Sequence, residues 1–489
     1  MPAGGPTVNL RPVPNERVVI VGAGPCGLAC ARELDTATDS RPEFDVQVLE
    51  AADRPGGLAA SVVDPAGFTW DRGGHVVFSH YGEFDRLLTE TMGADIVRHD
   101  RSSYVHVGGE WVPYPLQNNL HRLPPAMAEA AIVGLVEAQC AARPSVTHTS
   151  QTHTVPTNAA QTGADEVDFG TWLAGMFGPG IVDHFMRPYN EKVWAQPVSA
   201  MSSQWMAERV ATVDWRQALR SLATRRDDVA WGPNNLFAFP SSGGTGEIYR
   251  RASLPLEHRI TYGVEVVEIN ATARTIALST GEVIGYDHLV STGPLDRLVG
   301  LITDIPADIA ASAGALVRNS VTVVGIGYEA PLSDERSWLY FPDPDVPFYR
   351  ATNFAKYAAA NVPGGDTDRY CSWMTEIASS PWRPLAATDD AELGAQVDRA
   401  IRSIGLVAAD APIASVHVEH LPYGYPVPTL GRDAALAMIQ PWLMDHAILS
   451  RGRFGAWRYE LGNMDHAVKM GVDAARLIAD QTPEQAWSL

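Results

Sequence analysis

The chain has 489 residues, 46% of them hydrophobic and 19% charged, a globular composition with room for about three domains. Its net charge of −20 provides no cationic face to release phosphate counterions or to dock on anionic lipid, which argues against nucleic-acid and membrane-surface roles. The 4 cysteines are too few for a disulfide scaffold, no apolar run is long enough to span a bilayer, and the opening MPAGGPTVNLRPVPNE lacks the apolar stretch of a secretory signal. A soluble cytoplasmic enzyme is the expectation.

In chain order, the first 16 residues are a Pro- and Gly-rich tail. Arg17–Val21 reads as a buried strand, a glycine turn follows, Leu28–Leu34 reads as a helix, and Asp45–Glu50 reads as a second strand. That βαβ unit implies a parallel sheet. Pro125–Ala142, Phe169–Trp194 and Ser203–Ala223 have helical spacing. Between the first two, Pro144–Asp165 is too polar to offset its ordering entropy and reads as a mobile surface insertion. Its His148 and His153 have no Cys or carboxylate at ligand spacing, so no metal is expected. From Ile260 to Val290 the alternation is strand-like, Val321–Tyr328 and Ser337–Phe341 continue it, and Ala467–Asp480 returns to helical spacing. No internal repeat is visible.

The strongest local signal is Gly22-Ala-Gly24-Pro-Cys-Gly27, which follows a strand, opens a helix, and has Glu50 ending the next strand. The glycines permit a tight turn and close approach to a pyrophosphate, the helix N-terminus favours the phosphates, and Glu50 is placed for a ribose hydroxyl. Cys26 and Cys30, four apart on this helix, read as packing residues. After Glu50 come Gly56-Gly57 and then Gly73-Gly74-His75, an extension that resembles the FAD-binding oxidoreductases rather than a plain NAD site. Gly462-Asn463-Met464-Asp465-His466-Ala467, leading into a late helix, is a second such feature; a helix N-terminus aimed at a flavin stabilises negative charge on the reduced ring.

Four longer segments narrow this further. Gly73-Gly-His-Val-Val-Phe-Ser-His80-Tyr81, Trp111-Val-Pro-Tyr114-Pro-Leu116-Gln117-Asn-Asn119, Phe185-Met-Arg187-Pro-Tyr-Asn190-Glu-Lys192-Val-Trp194 and Arg451-Gly-Arg453-Phe-Gly-Ala-Trp-Arg-Tyr459-Glu460 resemble the UDP-galactopyranose mutase family, closest to its eukaryotic (fungal) branch. The resemblance runs from about Arg17 to Ile478 and is interrupted by the polar insertion.

It implies an isomerase without net redox change. Reduced FAD acts through N5 as nucleophile at the anomeric carbon of a nucleotide-diphosphate hexose, and pyranose and furanose forms interconvert, as in UDP-galactopyranose to UDP-galactofuranose. The catalytic residues it implies are His75, Arg187, Arg350, Arg453 and Asn463. Gly22, Gly24, Gly27, Glu50, Gly57, Gly74, Arg453, Asp465 and His466 are the implied cofactor residues. For the substrate it implies His80, Tyr114, Leu116, Gln117, Arg187, Asp214, Trp338, Tyr340, Arg350, Tyr425, Tyr459 and Asn463. The two arginines are the expected diphosphate forks, a geometry that Lys cannot copy. NADPH is the expected reductant; with one glycine fingerprint only, it would bind in the substrate cleft.

Three positions depart from the fungal pattern. Leu116 replaces an aromatic over the base, Asp214 replaces part of a Pro-Asn step near the diphosphate, and Glu191 replaces an apolar residue. They keep a GDP-linked hexose such as GDP-galactose open as an alternative, with an FAD-dependent amine or porphyrinogen oxidase more distant. The expected fold is α/β in three parts, two of them discontinuous in sequence. Residues 1–103, 235–305 and 440–489 form an FAD-binding Rossmann-like domain, 115–234 a mostly helical lid with the 144–165 insertion, and 104–114 with 306–439 an antiparallel sheet domain. Oligomeric state is not readable from the sequence.

Overall fold

The computed structural model describes residues 16–36, 43–141, 166–206, 209–229, 235–387 and 389–488. The expected tail before Glu16 and the 144–165 insertion with His148 and His153 lie outside the described residues.

Five parallel strands form the first layer, in the order Ile448–Ser450, His288–Ser291, Arg17–Val21, Asp45–Glu50, Ile260–Tyr262. Val18, Val19 and Ile20 in the central strand are fully buried, as a strand covered on both faces requires. The glycine turn leads into the helix Pro25–Asp35, which packs along the late helix Met464–Asp480. Two glycines make these contacts possible. A Cβ on Gly27 would lie 1.9 Å from the Gly22 carbonyl oxygen, and one on Gly471 would lie 2.1 Å from that of Cys26. Cys26 and Cys30 are buried, and burial pushes the Cys26 thiol up to about 12, which keeps it a packing group.

A seven-stranded sheet forms the second layer, ordered Ile413–Leu421, Ser320–Tyr328, Cys371–Ser379, Arg350–Asn353, Trp338–Tyr340, Ser103–Val107, Glu110–Pro113. It is not wholly antiparallel as expected, because Trp338–Tyr340 pairs parallel with Ser103–Val107, a strand from the far side of the helical insertion. Gly325 and Gly327 leave this sheet open to rings from above. A Cβ would come within 2.4 Å of Trp70 at the first and 2.5 Å of Phe68 at the second. Their seating fixes the strand Thr69–Asp71, from which the loop Arg72–His75 runs on.

Asp71 ends that strand fully buried, with its carboxyl oxygens at the Ser61 hydroxyl (2.5 Å), the Thr245 hydroxyl (2.9 Å) and the Thr245 N–H (3.2 Å). Burial outweighs these bonds and raises its pKa to about 7. A raised acid contributes stability that is complete below its ordinary value of about 4 and is lost as pH rises towards 7. Asp71→Asn removes that loss. Its melting temperature relative to the parent is therefore expected to rise between pH 4 and pH 8; a constant difference would show an ionised Asp71.

The helical part departs from its expected outline. Phe169–Trp194 is broken at Gly178 (φ 70°) and Pro179 and by a π turn at Val182–Met186, giving Phe169–Ile181 and Arg187–Trp194. Gly178 and Gly180 press on the helix Pro125–Ala141, where a Cβ would lie 2.1 Å from the Gly134 and Ala130 carbonyl oxygens. The expected helix from Ser203 begins only at Trp215, because the Asp214 carboxylate accepts from Arg216 N–H and caps it there. Helices Ala307–Gly314 and Arg432–Asp445 pack together, the latter also on Ile448–Ser450, so boundaries at 305 and 440 cut through one packed unit. Among the described residues no helix is long and apolar enough to cross a membrane.

Candidate active site

Two cavities meet between the layers. The smaller, about 530 Å³, is lined by Gly22, Gly24, Glu50, Gly57 and Thr292 and reaches the start of the late helix at Met464. The larger, about 790 Å³, lies between the seven-stranded sheet and the helical layer. His75, Arg453 and Asn463 line both, so they stand at the junction.

In the smaller cavity the turn is shaped by its sequence. Gly22 has φ +105°, and a Cβ there would lie 2.4 Å from the Thr292 hydroxyl. Glu50 accepts from the N–H groups of Ala23 (2.7 Å) and Ala52 (2.9 Å), which fix its carboxylate at the cavity wall. Gly27 does not line the cavity; it packs the helix on the turn. Gly74 lines the larger cavity, not the smaller one.

The larger cavity is rich in arginine, and the pairing state sorts its cations. Arg72 pairs with Glu419 (2.8 Å), Arg432 with Glu460 (2.8 Å) and Arg350 with Glu376 (2.7 Å). Arg209 and Arg453 have no described carboxylate within 4.0 Å. Arg209 donates to Asn463 Oδ1 (2.9 Å) and the Glu460 carbonyl (2.7 Å), and Arg453 donates to the Gly462 carbonyl (2.8 Å). Each lies over a tyrosine, Arg209 over Tyr459 (5.2 Å) and Arg453 over Tyr425 (5.3 Å), and the two rings meet at 5.6 Å. Two cations with no carboxylate partner among the described residues, set beside hydroxyls, make a wall suited to an anion. Opposite, Tyr340 packs on Tyr114 (5.0 Å) and accepts from Trp338 Nε1. Burial raises the Tyr114, Tyr340 and Tyr459 hydroxyls, so they remain protonated donors. At the junction, burial, seconded by Arg453, holds His75 down at about 3, so its ring is neutral and its Nδ1 is buried without a partner.

Asp465, 1% exposed, accepts from His80 Nδ1 (2.8 Å) and N–H (3.1 Å) and from His466 Nδ1 (3.1 Å). Both imidazoles line the larger cavity, whereas Asp465 lines neither, so of the two residues expected at the cofactor His466 borders the larger cavity and Asp465 lies behind it. The three side chains also have a spacing that would suit a metal ion, within 4.8 Å of one another. Their bonds to one carboxylate give the grouping a cause of its own.

Four expected substrate residues lie elsewhere. Arg187, its side chain 50% exposed, sits 3.6 Å from Asp183 and lines neither cavity. The π turn before it directs the buried face of its helix to Asn190, Lys192 and Trp194. Leu116 is a core residue of the helical layer, and Gln117 is buried with Nε2 donating to the Ala211 carbonyl. Asp214 is the exposed helix cap described above, 3.8 Å from Arg216. Conversely, Arg209, Arg101, Trp205 and Glu376 line the larger cavity without having been singled out. Glu376 carried one signal, as the only charged residue in the strand Cys371–Ser379. Arg209 carried none.

Residues 25–479 match the family of flavin-containing amine oxidoreductases. A solved structure of a reduced UDP-galactopyranose mutase superposes with a TM-score of 0.84 at 39% identity, covering 95% of this chain and 94% of that one. Two more distant structures share the fold alone. A putative protoporphyrinogen oxidase from Exiguobacterium sp. 255-15 has a TM-score of 0.68 at 16% identity, over 95% of this chain and 98% of that one. Cyclohexylamine oxidase from Brevibacterium oxydans IH-35A has a TM-score of 0.65 at 19% identity, over 95% and 99%.

Proposed function

The chain belongs to the flavin-containing amine oxidoreductase family and, within it, to the UDP-galactopyranose mutases, and on that premise we propose that it interconverts the pyranose and furanose forms of UDP-galactose. The observation that carries this is the Arg209/Arg453 wall beside Tyr425 and Tyr459, at the junction with the cofactor cavity. A cationic amine has no use for it; a diphosphate does.

The smaller cavity fits FAD. Its glycine turn admits a pyrophosphate, Glu50 is held for a ribose hydroxyl, and the neutral His75 offers a buried, unpartnered nitrogen where the cavities meet. When bound and reduced, FAD would supply a nucleophilic N5 for the anomeric carbon. The chain's own part is binding and orientation. Arg209 and Arg350 hold the diphosphate, the Tyr340, Tyr425 and Tyr459 hydroxyls donate to its oxygens, and Arg453 and Asn463 border both ligands. His80 and His466, with Nδ1 turned to Asp465, are left to present Nε2 as an acceptor for sugar hydroxyls.

Protein reduced under anaerobic conditions and given UDP-galactopyranose is expected to yield the furanose, seen by chromatography, without net oxidation of flavin. Equal turnover with oxidised flavin under air, or steady oxygen consumption, would sink the proposal. NADPH is the proposed reductant, bound in the larger cavity and competing with nucleotide sugar. A cytoplasmic setting accords with four cysteines that remain unpaired.

Uracil is the proposed base, since Leu116 and Asp214, two of the three departures that had kept a GDP-hexose open, face away from the cavity. Tyr114 and Arg101, its guanidinium 5.7 Å from the Tyr114 ring, remain on that wall. Leu116→Phe is therefore expected to overpack the helical core, at a cost of about 1–3 kcal/mol, and to leave the ratio of UDP to GDP inhibition unchanged. A tenfold change in that ratio, about 1.4 kcal/mol, would return Leu116 to the base site.

A further inference from the structure

A buried arginine stands behind the anion wall. Arg432 opens the helix Arg432–Asp445, is 3% exposed and borders the larger cavity. Its fork closes on both carboxylate oxygens of Glu460, Nη1 to Oε2 (2.9 Å) and Nη2 to Oε1 (2.8 Å), and its Nε donates to Asp433 Oδ1 (3.0 Å). Both acids that it holds also line that cavity. Glu460 faces two ways. Its carboxylate is held by Arg432, while its main-chain carbonyl accepts from Arg209 Nη2 (2.7 Å), and Tyr459, immediately before it, lies under the Arg209 guanidinium. The acid of this residue is thus tied to one arginine, and its neutral carbonyl serves the other.

A Glu460 carboxylate released from Arg432 has a partner at hand. The side chain is flexible, and the cation beside its own carbonyl is Arg209, whose present acceptors, that carbonyl and Asn463 Oδ1, are neutral. A carboxylate is the stronger acceptor, and a pair of that kind would occupy the guanidinium edge that a diphosphate needs. We infer that Arg432 is a positioning residue for substrate: it sequesters the Glu460 carboxylate and so keeps Arg209 open to an anionic ligand. This rests on the nucleotide-sugar reading above. It also gives the ion pair a use beyond stability, for which buried pairs are weak devices, because desolvating two charges offsets much of their attraction. A plain field effect would behave differently. Arg432 adds one positive charge to the cavity edge whichever acid it holds, so neutralising either Glu460 or Asp433 would offset its loss. Sequestration is specific to Glu460, the acid on the residue that Arg209 already touches.

The test measures the dissociation constant of UDP for the reduced holoenzyme by calorimetry, with flavin content as the check on folding. Arg432→Gln is expected to weaken UDP about tenfold or more, the loss of one charge-assisted contact. In an Arg209→Ala background the same change should cost less than about twofold, because it acts through Arg209. Adding Glu460→Gln to Arg432→Gln should restore affinity to within about threefold of the parent, since the pair is removed whole. Adding Asp433→Asn instead returns the same net charge and should not. Where Arg432→Gln alone does not retain flavin, Arg432→Gln/Glu460→Gln, which strands neither charge of the pair, carries the test. Affinity near that of the parent then sustains the sequestration, and a loss of about tenfold overturns it.

Parental affinity in Arg432→Gln, an equal loss with and without Arg209, or a rescue by Asp433→Asn as complete as that by Glu460→Gln overturns the positioning role and leaves the nucleotide-sugar reading standing. A parent that does not bind UDP overturns that reading, and the sequestration with it.

Discussion

Arg209→Ala is expected to lower kcat/KM about ten- to 150-fold with flavin content and stability close to the parent. The loss of a charge-assisted contact of about 1.5–3 kcal/mol sets that range. Stability should hold because no described carboxylate depends on Arg209; its partners are Asn463 Oδ1 and the Glu460 carbonyl, at a cavity wall that water can reach. Arg187→Ala is the contrasting control. Its exposed pair with Asp183 is worth about 0.3–0.5 kcal/mol, so activity should be unchanged. Steady-state kinetics on both variants, with flavin absorbance as the occupancy check, decide between the two arginines. A large effect at Arg187 and none at Arg209 would reverse the assignment.

The placement of these two arginines shows where reading the sequence runs out. The glycine turn and Glu50 were legible because the required backbone angles and the strand ends are local properties, and the βαβ unit and the late helix followed from short-range periodicity. Tyr114, Tyr340, Arg350, Tyr425, Tyr459 and Asn463 came from motif resemblance, and all of them border the larger cavity. Arg187 did not. The direction of its side chain is set by a π turn and by Gly178 pressed on a neighbouring helix, both tertiary effects that the helical spacing of 169–194 concealed. Tyr114 and Leu116 are two residues apart, yet one faces the cavity and the other the core. Arg209 precedes the helix Trp215–Thr224 without periodic context, and what marks it is that no carboxylate among the described residues pairs with it, a fact of three dimensions.

Arg350→Ala is expected to be the most damaging single change, because it strikes both ligand binding and the fold. Its loss of diphosphate contact should resemble that of Arg209, and the two effects should be less than additive, since both would hold one ligand. The stability effect is separate. Glu376 is deeply buried; burial alone would raise its pKa, and the Arg350 guanidinium, with the Tyr349 hydroxyl and the Gly74 N–H, holds it below the ordinary glutamate range. Removing the guanidinium leaves that charge uncompensated, at a cost of about 3–5 kcal/mol. The pH dependence changes sign as well. In the parent, the lowered Glu376 contributes stability above the ordinary glutamate value, lost as pH falls through its folded value; in Arg350→Ala, burial is opposed only by the Tyr349 and Gly74 hydrogen bonds and is expected to raise it, so stability is kept in acid and lost as pH rises. Thermal melts from pH 4 to pH 8 should therefore show the variant approaching the parent towards acid. Arg350→Ala/Glu376→Gln, which removes both charges, should recover most of the stability and none of the activity. A double variant as unstable as the single one would assign the damage to the cavity left by the arginine rather than to the stranded carboxylate.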